Sequence, residues 1–404
     1  MFRIKCLICK SQELVSVIDL GMHPFADTFI NKERVGDSEP VYPLICNLCN
    51  KCGHVQLKYI TDPNDRYSKY DYSYTSSNSS FSRMHWDKFC NEVSSNIELS
   101  KDALVVDVGS NDGFLGSKFI ERGNKFIGID ASPYMARLAE KRSVKTIVGL
   151  LNTEIVNKVN SDFGHAKLVI SNNVFNHADF PVEFIQYVSL LLSTDGTFVF
   201  EVPYWFIEFE EGNFDKIYHE HINYFTIKSL KKILELSGMV ISSVEVIDYH
   251  GGSLRVYAKK NNSGSFDNSN NIKNMIDKET ASGIFNSKSY ITFMNNISKN
   301  RNLFLKKIYS IKTKGLPLVA VGAAAKGNTF LNYYNLDHTV IDYVTDVSKY
   351  KIGKYTALTR IPIVSDDIFS KFDEVYALVL TGNISGNLKK ILHQINPRIK
   401  FISP

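Results

Sequence analysis

The chain has 404 residues, 44% of them hydrophobic and 22% charged, with 47 Lys and Arg against 42 Asp and Glu for a net charge of +5. That length predicts about two to three domains, the composition excludes a disordered, collagenous or coiled-coil chain, and the mild charge excludes a dedicated nucleic-acid binder. No apolar run approaches the roughly 18–20 residues of a membrane span, and the opening MFRIKCLICK has no apolar stretch after its charges, so no membrane segment or signal peptide is expected and the chain is read as cytoplasmic.

Residues 1–75 form the first predicted unit. Five of the six cysteines fall in the first 52 residues. Cys6 and Cys9 make one CxxC pair, Cys49 and Cys52 another, with 39 residues between. Two thiolates on one tight turn can reach an ion about 2.3 Å away, and two such turns complete a closed tetrahedron. The metal expected is a structural zinc that supplies folding energy to a loop-rich segment. Cys46 also stands CxxC from Cys49; Gly53 after Cys52 favours the Cys49/Cys52 register. Disulfides or a redox dithiol are the alternatives, disfavoured without a secretory signal.

Residues 76–260 open with a polar, aromatic stretch and a helix. Apolar runs follow at 104–109, 126–130, 168–173, 197–202, 242–248 and 254–259, most separated by helix-length segments, which predicts a parallel sheet covered by helices. Only YHGGS separates the last two, so they should form an antiparallel hairpin. In LVVDVGSNDGFL (104–115), Gly109 lets a ligand approach the backbone and Gly113 eases helix packing. Asp107, Asn111 and Asp112 set polar and negative groups where a pyrophosphate would lie, which suits the amino group and sulfonium of S-adenosylmethionine (SAM) better than a dinucleotide. Asp130 ends the next strand, 21 residues after Gly109, placed to accept from ribose hydroxyls. Asn172 and Asn173 end LVISNN at the mouth of the predicted crevice, where strand-end turn roles suit them equally.

Residues 261–404 begin with an Asn- and Ser-rich stretch, 261–274, read as a linker, and a helix around 289–313. Runs at 318–322, 340–346, 361–364, 375–380 and 400–403 predict a second, smaller α/β unit. Its first turn, VGAAAKGNT, offers small residues and one cation, through Ala324, Lys326, Gly327 and Asn328, to a pyrophosphate. Asp346 would hold a nucleoside ribose as Asp130 would; close packing is the plainer reading of the turn.

Two further segments concentrate reactive side chains. YDYSYTSSNSS (70–80) carries Tyr72 and Tyr74, and FDKIYHEHINYFT (214–226) carries Tyr218, His219, Glu220, His221 and Tyr224. Two His, a Glu and two Tyr just after a parallel strand suggest acid–base chemistry, and the spacing of a zinc-protease helix is absent. With these residues the chain resembles the nucleotide-sugar C-methyltransferases, chiefly deoxysugar C-3′-methyltransferases that make branched sugars for surface polysaccharides or secondary metabolites. The likeness runs through both CxxC pairs with CGHVQL, the YxYxSS stretch, VGSNDGFL, NNVFNH, FDKIYHEHINYF, HGGSLRVY and GAAAKGNTFLNY. It implies a small zinc-binding domain, a central Rossmann-like SAM domain with a terminal antiparallel hairpin, and a C-terminal α/β domain that holds the nucleotide of the sugar. It further implies His221 as general base, and Glu220, Tyr218, Tyr72 or Tyr74, His177 and Asn173 around the sugar. The expected reaction removes the C3 proton of a 4-keto sugar before C3 takes a methyl group from SAM. A base titrating near neutrality fits that role. O- or N-methylation of a nucleotide sugar, or an inactive interaction protein, are the alternatives. The expected partner is the nucleotide sugar, with no nucleic acid and no membrane; the oligomeric state is left open. Arg360 replaces the His common before Ile-Pro-Ile, and Gly382-Asn383 replaces a Trp-Asn pair; both fall where the nucleotide is expected. Arg255 in HGGSLRVY has no assigned role.

Overall fold

A computed structural model describes residues 1–67, 75–77, 79–261, 269–380 and 386–403. Near the N-terminus, β1 (Leu14–His23), β3 (Tyr42–Cys49) and β4 (Val55–Leu57) form an antiparallel sheet, while the short β2 (Phe29–Ile30) lies apart. A helix at Ser80–Asn96, capped by the Ser79 hydroxyl, leads into the central unit.

The central sheet contains β5 (Leu104–Val108), β6 (Lys125–Asp130), β7 (Thr146–Val148), β8 (Ala166–Asn172), β9 (Leu192–Pro203), β11 (Met239–Ile247) and β12 (Ser253–Lys260), in the order β11-β12-β9-β8-β5-β6-β7. Strand β5 is buried on both faces, which is why LVVDV reads as a continuous apolar run rather than an alternating one. The hairpin is as expected: β12 runs antiparallel to both β11 and β9, and the other pairings are parallel. The chain reverses its direction of winding between β5 and β8, so a crevice opens beyond their carboxyl ends, the usual ligand position in such sheets.

Between β9 and β11 the chain forms β10 (Asn223–Tyr224), which joins the N-terminal sheet beside β4. The C-terminal sheet holds β13 (Leu318–Val321), β14 (Tyr343–Thr345), β16 (Ile363–Val364), β17 (Val375–Val379) and β18 (Ile399–Ile402), all parallel, in the order β16-β14-β13-β17-β18. The remaining strand, β15 (Tyr355–Thr356), pairs with β2 and ties this unit to the N-terminal one.

The stretch read as a linker needs correction. Ser269–Ala281 is a helix, because Ile272, Met275 and Ile276 recur at helical spacing and pack on the central core despite the Asn- and Ser-rich surroundings. The following helix, Ser287–Lys312, lies where expected.

Candidate active site and metal centre

The two CxxC turns converge. The thiols of Cys6, Cys9, Cys49 and Cys52 all lie within 4.8 Å of one another. Cys6 and Cys52 sulfurs are 3.5 Å apart, and those of Cys9 and Cys49 3.6 Å. A tetrahedron with 2.3 Å metal–sulfur bonds has edges of about 3.8 Å, so the donor set fits zinc. All four are free thiols. Hydrogen bonds from Cys52 and Cys6 push the Cys49 thiol down toward its ionised form. Cys46 is outside the cluster, buried in β3.

Around the first turn of the central sheet, Gly109, Asn111 and Gly113 all have positive φ (84°, 50° and 72°). Asp130 closes the turn: its Oδ2 accepts from the Asn111 amide at 2.8 Å and its Oδ1 from the Ser132 amide at 2.8 Å. Asp107 is buried below, and burial together with Asp130 pushes its carboxyl well above the usual range. A cationic amino group beside it would favour the ionised form, so the donor set suits SAM. Two expectations change here. The face of Gly109 is covered by the Val174 side chain. Asp112 is an anchor: it is buried and accepts from the hydroxyls of Ser76 (2.7 Å) and Ser77, with Arg142 at 3.5 Å. Ser76 N–H also donates to Asn111 Oδ1 at 2.8 Å. The end of the YxYxSS stretch therefore rests on the SNDG turn, a pairing visible only in three dimensions. Tyr72 and Tyr74 lie outside the described residues.

Opposite, at the ends of β8 and β9, Asn172 Oδ1 accepts from the Glu201 amide at 3.0 Å, and the Asn173 amide donates to the Glu201 carbonyl at 2.7 Å with φ 55°. Next along the chain, His177 sits with its ring centroid 5.0 Å from that of His221. His221 is held at both nitrogens: Nδ1 lies 2.8 Å from the Lys216 carbonyl and Nε2 2.7 Å from the Tyr218 hydroxyl. A carbonyl only accepts, so Nδ1 carries the proton and Nε2 presents the lone pair. Burial, then the neighbouring His177, hold His221 well below the usual imidazole range, which corrects the expectation of a base near neutrality.

Glu220 turns away from that ring. It is buried toward the N-terminal segment, with Oε1 accepting from the Asp27 amide at 3.2 Å, and burial pushes it up to about 7. His219 is fully buried against Phe25 and Tyr42 and acts as packing. Sequence reasoning missed Glu208, Lys216 and Asn176, which share a small pocket with His221, and also Ser76, Ser77 and Arg142. For Glu208, the one signal was an acid among the aromatics of WFIEFEE.

The C-terminal turn repeats the central one. Asp346 Oδ2 accepts from the Ala323 amide at 2.9 Å and its Oδ1 from the Ser348 amide at 2.8 Å, matching Asp130 with Asn111 and Ser132. Gly322 N–H donates to the Thr345 carbonyl at 2.8 Å, as Gly109 does to Ile129 at 2.7 Å. Ala324 precedes the helix Ala325–Tyr334 as its cap residue, and Lys326 in its first turn faces Asp215, Lys216 and Glu208 of the central unit. Two predicted contacts are redirected. Asn328 is buried and donates to the Ala26 carbonyl at 2.6 Å, and a Cβ on Gly327 would stand 3.0 Å from Leu380 Cβ, so both serve packing. Arg360 does not face this turn; it pairs with Glu39 at 2.7 Å and donates to the carbonyls of Val35 and Asp37. Gly382 and Asn383 lie outside the described residues.

A switch-point crevice with an acid-closed glycine turn, together with a four-thiol centre, is the arrangement expected of a SAM-dependent methyltransferase that carries a zinc-binding domain. Three family models match in chain order: residues 6–67 a "Putative zinc binding domain", residues 81–244 a methyltransferase domain, and residues 248–404 a C-methyltransferase C-terminal domain. The chain is 28% identical over 379 residues to C-methyltransferase NovU of Streptomyces niveus, covering 94% of this chain and 90% of that one. Over nearly its whole length the chain is therefore similar to SAM-dependent C-methyltransferases, the coarser part of the resemblance read from the sequence. Among solved structures, the magnesium protoporphyrin IX methyltransferase of Synechocystis with bound SAM is 15% identical, with a TM-score of 0.34 over 44% of this chain and 79% of that one. A SAM-dependent methyltransferase of Clostridium acetobutylicum is 14% identical, with a TM-score of 0.36 over 45% of this chain and 93% of that one. Both likenesses are confined to less than half of this chain. No helix of the described residues is long and apolar enough to cross a membrane.

Proposed function

We propose that this enzyme methylates C3 of a nucleotide-activated 4-keto sugar, with His221 as general base. The observation that carries the reading is the fixed Nδ1–H tautomer of His221, whose Nε2 lone pair meets a phenol hydroxyl beside the SAM crevice. SAM, when bound, supplies an electrophilic methyl group on a positively charged sulfur. Carbon is a weak nucleophile, so it must first lose a proton to become an enolate, and an adjoining ketone makes that proton acidic. His221 Nε2 takes it. Because His221 is a weak base when buried, donors to the enolate oxygen carry more of the work; His177 is the described candidate, Tyr218 another once the substrate draws its hydroxyl from Nε2, and the family resemblance adds Tyr72 or Tyr74. Glu220, turned toward Asp27, supports the segment from behind.

The nucleotide half of the substrate is supported by the repeat of the Asp130 turn at Asp346, which offers a second ribose-type acceptor, and by Lys326, which brings a cation from that unit toward the catalytic segment. Asp107, Asp130, Asn172 and Asn173 are assigned to the SAM side. The test is turnover of a panel of nucleotide-linked 4-keto sugars in D2O, followed by NMR. The expected result is exchange of the C3 proton even without SAM, C-methylation with it, and loss of both in His221→Ala. A methyl group on oxygen or nitrogen, or full exchange in His221→Ala, overturns the reading.

A further inference from the structure

Behind His221 lies a polar arrangement that the reaction as described does not use. Lys216, five residues before His221, supplies the carbonyl that holds Nδ1–H. Its own side chain turns inward to pair with Glu208 of the helix Trp205–Glu211 and reaches the Gly251 carbonyl, 3.3 Å away in the β11–β12 turn. The Glu208 side chain is 2% exposed and that of Lys216 11%. The second carboxylate oxygen of Glu208 and both side-chain polar atoms of Asn176 are buried without a hydrogen-bond partner among the described residues, and these residues line the small pocket under the imidazole. So Lys216 is the ion-pair partner of the buried Glu208, and Glu208 that of Lys216. One residue thereby joins the catalytic segment, the helix after β9 and the hairpin turn.

We propose that the Glu208–Lys216 ion pair is a positioning unit for His221: it pins the carbonyl that fixes the ring, and it cancels a cation that would otherwise stand beside the imidazole. This rests on His221 being the base. The charged and titratable groups around it are His177 on the NNVFNH segment, His250 in the hairpin turn and Lys216 with Tyr218 on its own segment; Asp215 and Glu211 add negative charge around Glu208, and Lys326 approaches from the C-terminal unit.

The two partners act on His221 with opposite sign, which a packing role would not do. Glu208→Gln leaves the lysine uncompensated, so the imidazole becomes harder to protonate. Lys216→Met removes the cation, so it becomes easier. Two readouts apply: the His221 ring titration by histidine NMR, which needs no substrate, and the pH profile of C3 proton exchange on whichever 4-keto sugar is turned over. Expected are shifts of about one pH unit, downward for Glu208→Gln and upward for Lys216→Met. Lys216→Arg and the double variant Glu208→Gln/Lys216→Met should lie near the parent. If Glu208→Gln does not fold, Lys216→Met against the double variant carries the comparison. Shifts in the same direction, or none in either, overturn the proposal. An active His221→Ala enzyme would instead overturn the base assignment, so the two failures are distinct.

Discussion

At the scale of single residues, the site is governed by what burial does to charge. His221 is kept neutral because desolvation disfavours the imidazolium and His177 adds to the cost. The active form of a base is the unprotonated one, and an ordinary imidazole loses it as pH falls through about 6.5. With the folded value depressed, the neutral form persists as pH falls through that point and is lost only further down. Proton exchange at the substrate carbon should therefore be undiminished at pH 6, as a pH profile between 4.5 and 8 would show; a half-maximal point at or above 6.5 would contradict it. Asp112 teaches the other lesson. Its place in SNDG suggested a group facing the methyl donor, whereas its acceptors are taken by Ser76, Ser77 and Arg142. Asp112→Asn would turn an NH2 toward those donors and strand a buried hydroxyl, at a cost of about 1–3 kcal/mol, read as a lower midpoint in urea. The residue type and spacing were legible in the sequence; the partners, two serines some 35 residues upstream and an arginine 30 downstream, were not.

Among elements, the strands were the most legible part, because β-branched apolar runs bounded by Gly and Asp leave little choice of period. The exceptions are β1 to β4 and β10, in segments read for their cysteines and reactive side chains rather than for strands, and β7 and β15, three and two residues long and too short to show a pattern. What the pattern could not show is how the elements are locked. Arg255, without an assigned role from sequence, is 2% exposed and binds Glu201 of β9 at 2.8 Å, Glu92 of the Ser80–Asn96 helix at 2.8 Å and Glu245 of β11 at 3.3 Å. Glu201 also receives His85 at 2.7 Å, and that ring stacks on Tyr249 with centroids 3.6 Å apart. One buried carboxylate thus fastens the helix following the YxYxSS stretch to the sheet, while its backbone fastens Asn172 and Asn173. Removing one partner of a buried pair strands the other, so Glu201→Ala should cost about 3–5 kcal/mol, measured by chemical denaturation. A loss under 1 kcal/mol would show that Glu92 and Glu245 suffice for the guanidinium.

Over the whole molecule, the apolar cores do not follow the three sequence segments. Leu44, Leu48, Val55 and Leu57 of the N-terminal sheet share a cluster with Phe214, Ile217, Ile222 and Tyr224 around His221, and with Tyr290 and Phe304 of the long C-terminal helix. The coupling is closest at β4 and β10: Leu57 N–H donates to the Ile222 carbonyl at 2.9 Å, Asn223 pairs with Gln56, and His54 lies 3.1 Å from Asn223 Oδ1. His54 is two residues past Cys52, and Ile222 is one past His221. The metal knuckle is thus connected through one short strand to Ile222 and Asn223, the residues that follow the base, although it touches nothing reactive itself. Structural zinc contributes on the order of 10 kcal/mol to small domains that fold around it, far more than the Val55–Leu57 pairing could hold alone. Chelation, or Cys49→Ser, should accordingly abolish proton exchange and methyl transfer. SAM affinity, resting on the Gly109–Asp130 turn, which makes none of these β4–β10 hydrogen bonds, should change by less than about threefold, under 0.7 kcal/mol. Zinc content, exchange by NMR and SAM titration calorimetry on the same sample separate the cases. Full activity in a zinc-free sample would mean that the β4–β10 register survives without the metal. Loss of SAM binding in step with zinc would mean that the molecule unfolds as one unit through its shared core, and that the knuckle guards the whole fold rather than the base alone.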